Sequence, residues 1–331
     1  MSSWQELTIR LKLEIVELLD YESRCNLRLC SSSDRDTVDS TKIIGKNLKI
    51  SETTSEMAEG KTIIRLDIDT FTIWFIGREN VTRIDKGWNG EIIEGFSETR
   101  QQNRYAVIGE FMERFTRKGF VWVNTIGVDS TNFPVPETWN IKCANLRLYN
   151  LQEHYLGWLR KFVTLFQKLK KLEIGCWGNE PEISELLGQL KVTKTMKVDH
   201  DLNFTDEQLD QVEAMDVKIL SFNVTAEAVK KRLQKFLKYG KKGDELDLHT
   251  PSHELVITHD QLIPNELIVK RIKMQNEEET EYNGHIIGGF ENVHEVQDRR
   301  AIHYVNFGQL IRIHCKVYEK PERSDCMMYP F

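Results

Sequence analysis

The chain has 331 residues, 40 % of them hydrophobic and 29 % charged, which is enough for two or three domains and a sizeable core. A formal net charge of −6 gives no electrostatic ground for a nucleic-acid partner, which needs a basic face. No apolar run approaches the roughly 20 residues that span a bilayer, and Arg10, Lys12 and Glu14 interrupt any signal-peptide core at the N-terminus. Glu6, Glu14, Glu17 and Asp20 likewise argue against a mitochondrial presequence. Cys25, Cys30, Cys143, Cys176, Cys315 and Cys326 are scattered without a disulfide framework. They are expected to be reduced, buried thiols, which places the protein in the cytoplasm or nucleus.

Residues 1–45 read as three short helices. Leu7, Leu11, Ile15, Leu18 and Leu19 fall at i, i+4, i+8, i+11 and i+12, one face of a helix that stops at Asp20. Cys25 and Leu29 are i, i+4 on a second helix, and Ser33 is placed to cap a third, SDRDTVDSTK. Residues 46–103 are β-like. In IIRLDID, Ile64, Leu66 and Ile68 alternate with Arg65, Asp67 and Asp69; FTIWFIG and NVTRID follow, and GWNG is a turn. A small antiparallel meander is predicted.

Residues 104–250 carry the clearest internal order. Strand-like segments begin at Leu146, Leu172, Met196, Leu220 and Leu246, every 24 to 26 residues, and VWVN, with Trp122 at the matching place, lies 24 earlier. Helix patterns separate them: Ile108/Phe111/Met112/Phe115, Leu156/Leu159/Phe162/Val163/Phe166/Leu169, Ile183/Leu186/Leu187/Leu190, Leu209/Val212/Met215 and Val229/Leu233/Phe236/Leu237. Thr205 with Gln208 fits a capping box, and Thr225 an N-cap. This rhythm has the period of a leucine-rich-repeat-like solenoid, whose units bury their apolar faces only by stacking. The alternative is ordinary βα units of an open sheet. Residues 251–319 return to strands, with RRAIHYV and LIRIHCKVY flanking NFGQ as a hairpin. NGHIIGGF echoes the earlier NGEIIEGF, and residues 320–331 form a tail. The fold class is mixed α+β and α/β: three N-terminal helices, a small antiparallel β region, an irregular leucine-rich-repeat-like βα array and a C-terminal β-hairpin.

Chemistry-bearing motifs are sparse. The chain contains no glycine-rich phosphate loop, no HExxH and no GxSxG, so neither a cofactor nor a metal is expected. Cys25 and Cys30 have no second pair at zinc spacing and fall on apolar helix faces. His249, His253 and His259 surround Pro251 in a predicted loop and, with Asp247, are read as surface residues rather than a metal set. The basic runs FQKLKK (166–171) and KFLKYGKK (235–242) are read as solvated helix ends.

Forty residues of helix fall below the usual size for independent folding and need a partner. The segment WQELTIRLKLEIVELLDYESRCNLRLCSSSDRD resembles an F-box, and DYESRC resembles the nematode-type version. Leu7, Ile15 and Leu19 match the family's apolar positions; Thr8 stands where the family has Pro, and Arg10 where it has an acidic residue. Residues 202–248 and the closing VHEVQDRRAIHYVNFGQLIRIHCKV are similar to an F-box-associated region.

This resemblance implies a non-catalytic substrate-recognition subunit of a Skp–cullin–F-box ubiquitin ligase, with a Skp-type adaptor, a cullin–RING ligase and an unknown protein target as partners. Carried onto this chain, Leu7, Ile15 and Leu19 contribute to the adaptor contact; apolar spacing adds Leu11, Leu18, Cys25, Leu27, Leu29 and Cys30. The target-binding face is expected where Arg147, Tyr149, Glu173, Lys197, Asp199, Ser221, Asp247 and His249 alternate outward on the short strands. The departures at Thr8 and Arg10 motivate a second reading, a protein-interaction module of the same architecture that does not engage the adaptor.

Overall fold

A computed structural model describes residues 4–55, 61–78, 80–88, 90–116, 121–129, 133, 135, 141–149, 155–164, 168–175, 182–221, 223–241, 243–251, 268–275, 280–282, 285–287, 290–296, 300–306 and 310–317. Beyond Thr250, only the side chains of Ile313, His314 and Cys315 are described. The architecture is α+β, in two units, Met1–Gly178 and Asn179–Phe331.

In the first unit a 3-10 turn at Trp4–Glu6 leads into α1 (Ile9–Leu18), α2 (Tyr21–Cys30) and α3 (Ser32–Ser40). Five strands follow: β1 (Ile43–Ser55), β2 (Lys61–Ile68), β3 (Phe71–Arg78), β4 (Val81–Trp88) and β5 (Glu91–Arg100). They pair antiparallel as the meander that the alternating pattern predicts. Gly90, at φ 88°, supplies the left-handed residue of the β4–β5 turn.

Then come α4 (Arg104–Thr116), β6 (Val121–Asp129), β7 (Ile141–Tyr149), α5 (Tyr155–Thr164) and β8 (Lys168–Gly175). Strand order is β8-β7-β6-β1-β2-β3-β4-β5, with β1, β6, β7 and β8 parallel. The basic run at 168–171 therefore opens a strand rather than ending a helix, because Leu169, Leu172 and Ile174 are needed on the buried face.

The parallel strands share one irregularity. Buried positions step by two along a strand, yet here β7 buries Ala144 beside Cys143 before Leu146, and β6 and β8 each step once by three, Val123 to Ile126 and Leu169 to Leu172. Gly45 to Leu48 does the same on β1. The step realigns the core into two rows, Leu48–Ile126–Leu146–Leu172 and Ile50–Val128–Leu148–Ile174, all of them buried. Ile126, not Trp122, is thus the counterpart of Leu146. Trp122 lies before the step and points to solvent. Main-chain groups freed at the break find side-chain partners. Asp69 Oδ1 accepts from the Lys46 and Asn47 amides at 2.7 and 2.8 Å, and Asn145 Nδ2 donates to Asn124 O at 3.1 Å.

The second unit holds α6 (Glu182–Gln189), β9 (Lys191–Leu202), α7 (Asp206–Gln211), β10 (Asp216–Ser221), α8 (Ala226–Tyr239) and β11 (Glu245–Pro251). β12 (Ile268–Gln275), β13 (Thr280–Tyr282), β14 (His285–Ile287), β15 (Phe290–Val296), β16 (Arg300–Asn306) and β17 (Leu310–Val317) complete it. Its strand order is β12-β15-β16-β17-β11-β10-β9, parallel among β9, β10 and β11 and antiparallel elsewhere, with β13 and β14 as a separate pair. The hairpin around NFGQ is β16–β17. Thr205 and Gln208 form a reciprocal capping box on α7, and Thr225 caps α8. On β10 the buried residues are Val217, Ile219 and Ser221. The apolar face is thus the opposite of the one a strand starting at Leu220 would imply.

Candidate functional site

The three N-terminal helices are tied together by polar contacts at their ends. Thr8 caps α1, Asp20 Oδ1 caps α2 by accepting from Ser23 N at 2.7 Å, and Ser31 Oγ caps α3 by accepting from Asp34 N at 3.0 Å. The α3 cap is therefore Ser31 rather than Ser33, and the Ser31 hydroxyl in turn donates to Asp34 Oδ2 at 2.6 Å. The Ser23 amide and hydroxyl hold the Asp20 carboxyl below its ordinary value.

Several residues of DYESRC have separate physical tasks. The Tyr21 ring leaves α2 and packs on the body of the unit, 5.4 Å from the Phe71 and Phe115 centroids. Burial pushes the Tyr21 phenol well above its usual range and also raises the Cys25 thiol. Arg24 is buried and donates to Leu19 O at 3.1 Å, Thr41 Oγ1 at 3.2 Å and Lys42 O at 2.7 Å. It fastens the end of α1 and the end of α3 to one guanidinium, whose pKa burial lowers.

One side of this helical unit is left uncovered. Among the described residues ten large apolar side chains are exposed, and five belong to the first two helices: Ile9 (63 %), Leu11 (46 %), Ile15 (37 %), Leu18 (87 %) and Leu29 (79 %). Leu11, Ile15 and Leu18 stand at i, i+4 and i+7 on α1, one continuous stripe. The residue that α1 buries is Val16, at 0 % exposure. An apolar stripe facing water while its neighbour fills the core is the arrangement of a docking helix.

The other residues expected in the adaptor contact lie elsewhere. Leu7 precedes α1 and Leu19 is its C-cap, because the helix begins only after the Thr8 cap. Leu7, Leu19 and Leu27 are half-buried, Cys25 is half-buried toward the body of the unit, and Cys30 is exposed rather than on a buried face. Ile9, Trp4, Arg24 and Asp34 are structural participants that apolar spacing misses. Ile9 lies off the stripe, and the other three act through hydrogen bonds.

The residues expected to face a target divide in the same way. Arg147, Tyr149 and Glu173 converge on the outward face of β7 and β8. Glu173 Oε2 accepts from Tyr149 Oη at 2.8 Å and pairs with Arg147 Nε at 2.9 Å. On β9, Lys197 pairs with Asp216 at 3.7 Å, and Asp199 with Lys218. Ser221 and Asp247 are buried, which corrects the expectation that they point outward. Ser221 is on the core face of β10. β11 is an interior strand between β10 and β17, where Asp247 lies 3.1 Å from His249 Nε2. His249 is on this strand, not in a loop, while His253, His259, Cys176 and Cys326 lie outside the described residues. Among the described residues no cluster of His, Cys, Asp or Glu is arranged to hold a metal, and no helix is long and apolar enough to cross a membrane.

The first unit thus carries a small helical segment with an uncovered apolar stripe ahead of its β-sheet. Residues 4–44 match the F-box domain family. F-box domains generally bind the Skp-type adaptor of Skp–cullin–F-box ubiquitin ligases, and proteins carrying them are typically non-catalytic substrate adaptors. Neither a curated protein nor a solved structure matches the chain.

Proposed function

We propose that this protein is the substrate-recognition subunit of a Skp–cullin–F-box ubiquitin ligase, working in the cytoplasm or nucleus. In this reading residues 1–45 dock on the Skp-type adaptor, and residues 46–319 form an F-box-associated receptor of the nematode type for a protein target. The observation that carries it is the stripe Leu11–Ile15–Leu18, exposed on a helix whose core residue, Val16, is already buried. The departures from the family pattern are structurally benign. Thr8 caps the helix with its side chain, and Arg10 is spent on an exposed pair with Glu14 at 3.0 Å. The stacked rows of buried residues across β6, β7 and β8 support a leucine-rich-repeat-like reading of residues 104–250. Target contact is assigned to the outward faces carrying Arg147, Tyr149 and Glu173 in one unit and Lys197, Asp199 and His249 in the other.

The test is co-purification of the full chain with a Skp-type adaptor, alongside a variant carrying Ile15→Asp and Leu18→Asp. Capture of the parent and loss of capture by a folded variant is the expected result. If a folded parent chain fails to bind, the adaptor-independent interaction module replaces this reading.

A further inference from the structure

Helices α2 and α3 do not close fully on the body of the first unit. Between them, the strands β3 to β5 and helix α4 lies a cleft of about 580 Å³, the size of a small-molecule site. One wall is a relay of rings. Tyr21 stands 5.4 Å from both Phe71 and Phe115, and Phe111 stands 6.2 Å from both Phe115 and Phe75. Among the described residues the polar lining is unbalanced: five cations against two carboxylates. Both carboxylates are engaged, Asp39 with Arg28 at 2.7 Å and Glu98 with Arg100 at 2.8 Å. Arg24, Arg35 and Lys86 make no ion pair among the described residues.

Arg24 is the informative member. Three bonds hold its Nε and Nη1 in place, yet its Nη2 is buried with no partner among the described residues. A buried guanidinium with an unmatched donor bears the full desolvation of that donor. Its Nη2 can donate to a carboxylate oxygen, a charge-assisted bond. Beside it the ring wall offers apolar surface to whatever body carries that group.

We propose that this cleft is a binding site for a small amphipathic carboxylate. Its apolar body lies on the Tyr21–Phe71–Phe115–Phe111 wall and its anionic end on Arg24, between Arg35 and Lys86. The site lies off the exposed α1 stripe, although Cys25 and Leu29 of α2 belong to its lining. A neutral body fills the same space but leaves three cations unmatched, so charge is the discriminating property.

The full chain is titrated with 2-naphthoate and with its uncharged analogue 2-naphthamide, followed by ligand-observed NMR. Naphthoate should bind at least tenfold more tightly than the amide. Lys86→Glu and Arg24→Met, each checked for folding by circular dichroism, should reduce naphthoate affinity at least tenfold and leave the amide unchanged. Because Arg24 also ties helices together, Arg35→Glu takes its place if Arg24→Met does not fold. Absence of naphthoate binding, equal affinity for the two probes, or naphthoate binding that survives Lys86→Glu overturns the proposal.

Discussion

Trp4 Nε1 donates to Asp34 Oδ1 at 2.7 Å, closing the N-terminal helical unit across thirty residues of sequence. Asp34 is thereby held by two donors, Ser31 Oγ and the Trp4 indole, which keep its carboxyl below the ordinary carboxylate range. A depressed carboxyl contributes stability that is complete above its unfolded value, near 3.9, and is lost as pH falls through its lower folded value. Asp34→Asn should flatten that acid limb, and Trp4→Phe should narrow it. Amide exchange of α1 and α3 measured between pH 5 and pH 2 checks both. An acid limb unchanged in Asp34→Asn refutes this assignment.

Val16 and Leu18, two residues apart on α1, should respond in opposite ways. Val16→Ala removes two buried methyl groups and leaves a small void, for a loss of about 2–3 kcal/mol. Leu18→Ala removes a side chain already in water and should leave the melting temperature within a degree. Its effect belongs to adaptor affinity, where an anchor of this size is worth about 1.5–3 kcal/mol when desolvated. Parallel thermal melts and adaptor-binding isotherms separate the two roles.

Asp69 turns through the left-handed region, at φ 56°, so that its carboxylate meets the backbone at the β1 break. Its own amide donates to Asn47 O at 2.9 Å. Asp69→Ala removes the acceptor and strains the turn; a loss of about 1.5–3 kcal/mol is expected. Asp69→Asn, which tolerates the conformation and keeps an acceptor, should recover most of it. Urea denaturation of the three chains measures the difference, and equal midpoints for Ala and Asn would contradict the assignment.

In the second unit Arg232 on α8 is buried and donates to the carbonyls of Val212 and Ala214. Burial pushes its pKa down to about 10. Arg232→Met keeps the volume but leaves two carbonyls without that donor, which should cost about 2–4 kcal/mol. The check is a thermal melt, with protease cleavage after residue 211 as a local reporter.

Local chemistry was the legible part of this chain. The Thr205–Gln208 box and the Thr225 cap are written within four residues and formed as read. The meander was legible because Ile64, Leu66 and Ile68 alternate over a single buried face. The spacing of the parallel strands was legible, but which of their residues face the core was not. A step of three inside parallel strands of the first unit shifts which residue faces the core, and Trp122 was misplaced for this reason. Leu220 and Ser221 were misplaced because β10, which keeps a step of two, turns Val217, Ile219 and Ser221 inward. On α1 the apolar spacing found a real stripe, but spacing alone does not say which side of a helix is covered. Val16, outside the pattern, holds the helix, while the patterned residues remain free. Arg24 and Asp34 were invisible to hydrophobic periodicity because a buried charge is justified only by partners distant in sequence.

Only Thr41 and Lys42 separate α3 from β1, and Arg24 bonds to both. β1 is also an interior strand, with β6 on one side and β2 on the other. The N-terminal helices are therefore clamped to the middle of their sheet, like a bracket on a beam, with no slack at the joint. On the function proposed above, the direction in which a target is presented would be inherited from the angle of a two-residue junction. A few glycines inserted after Lys42 should leave capture at both ends intact while spoiling delivery between them.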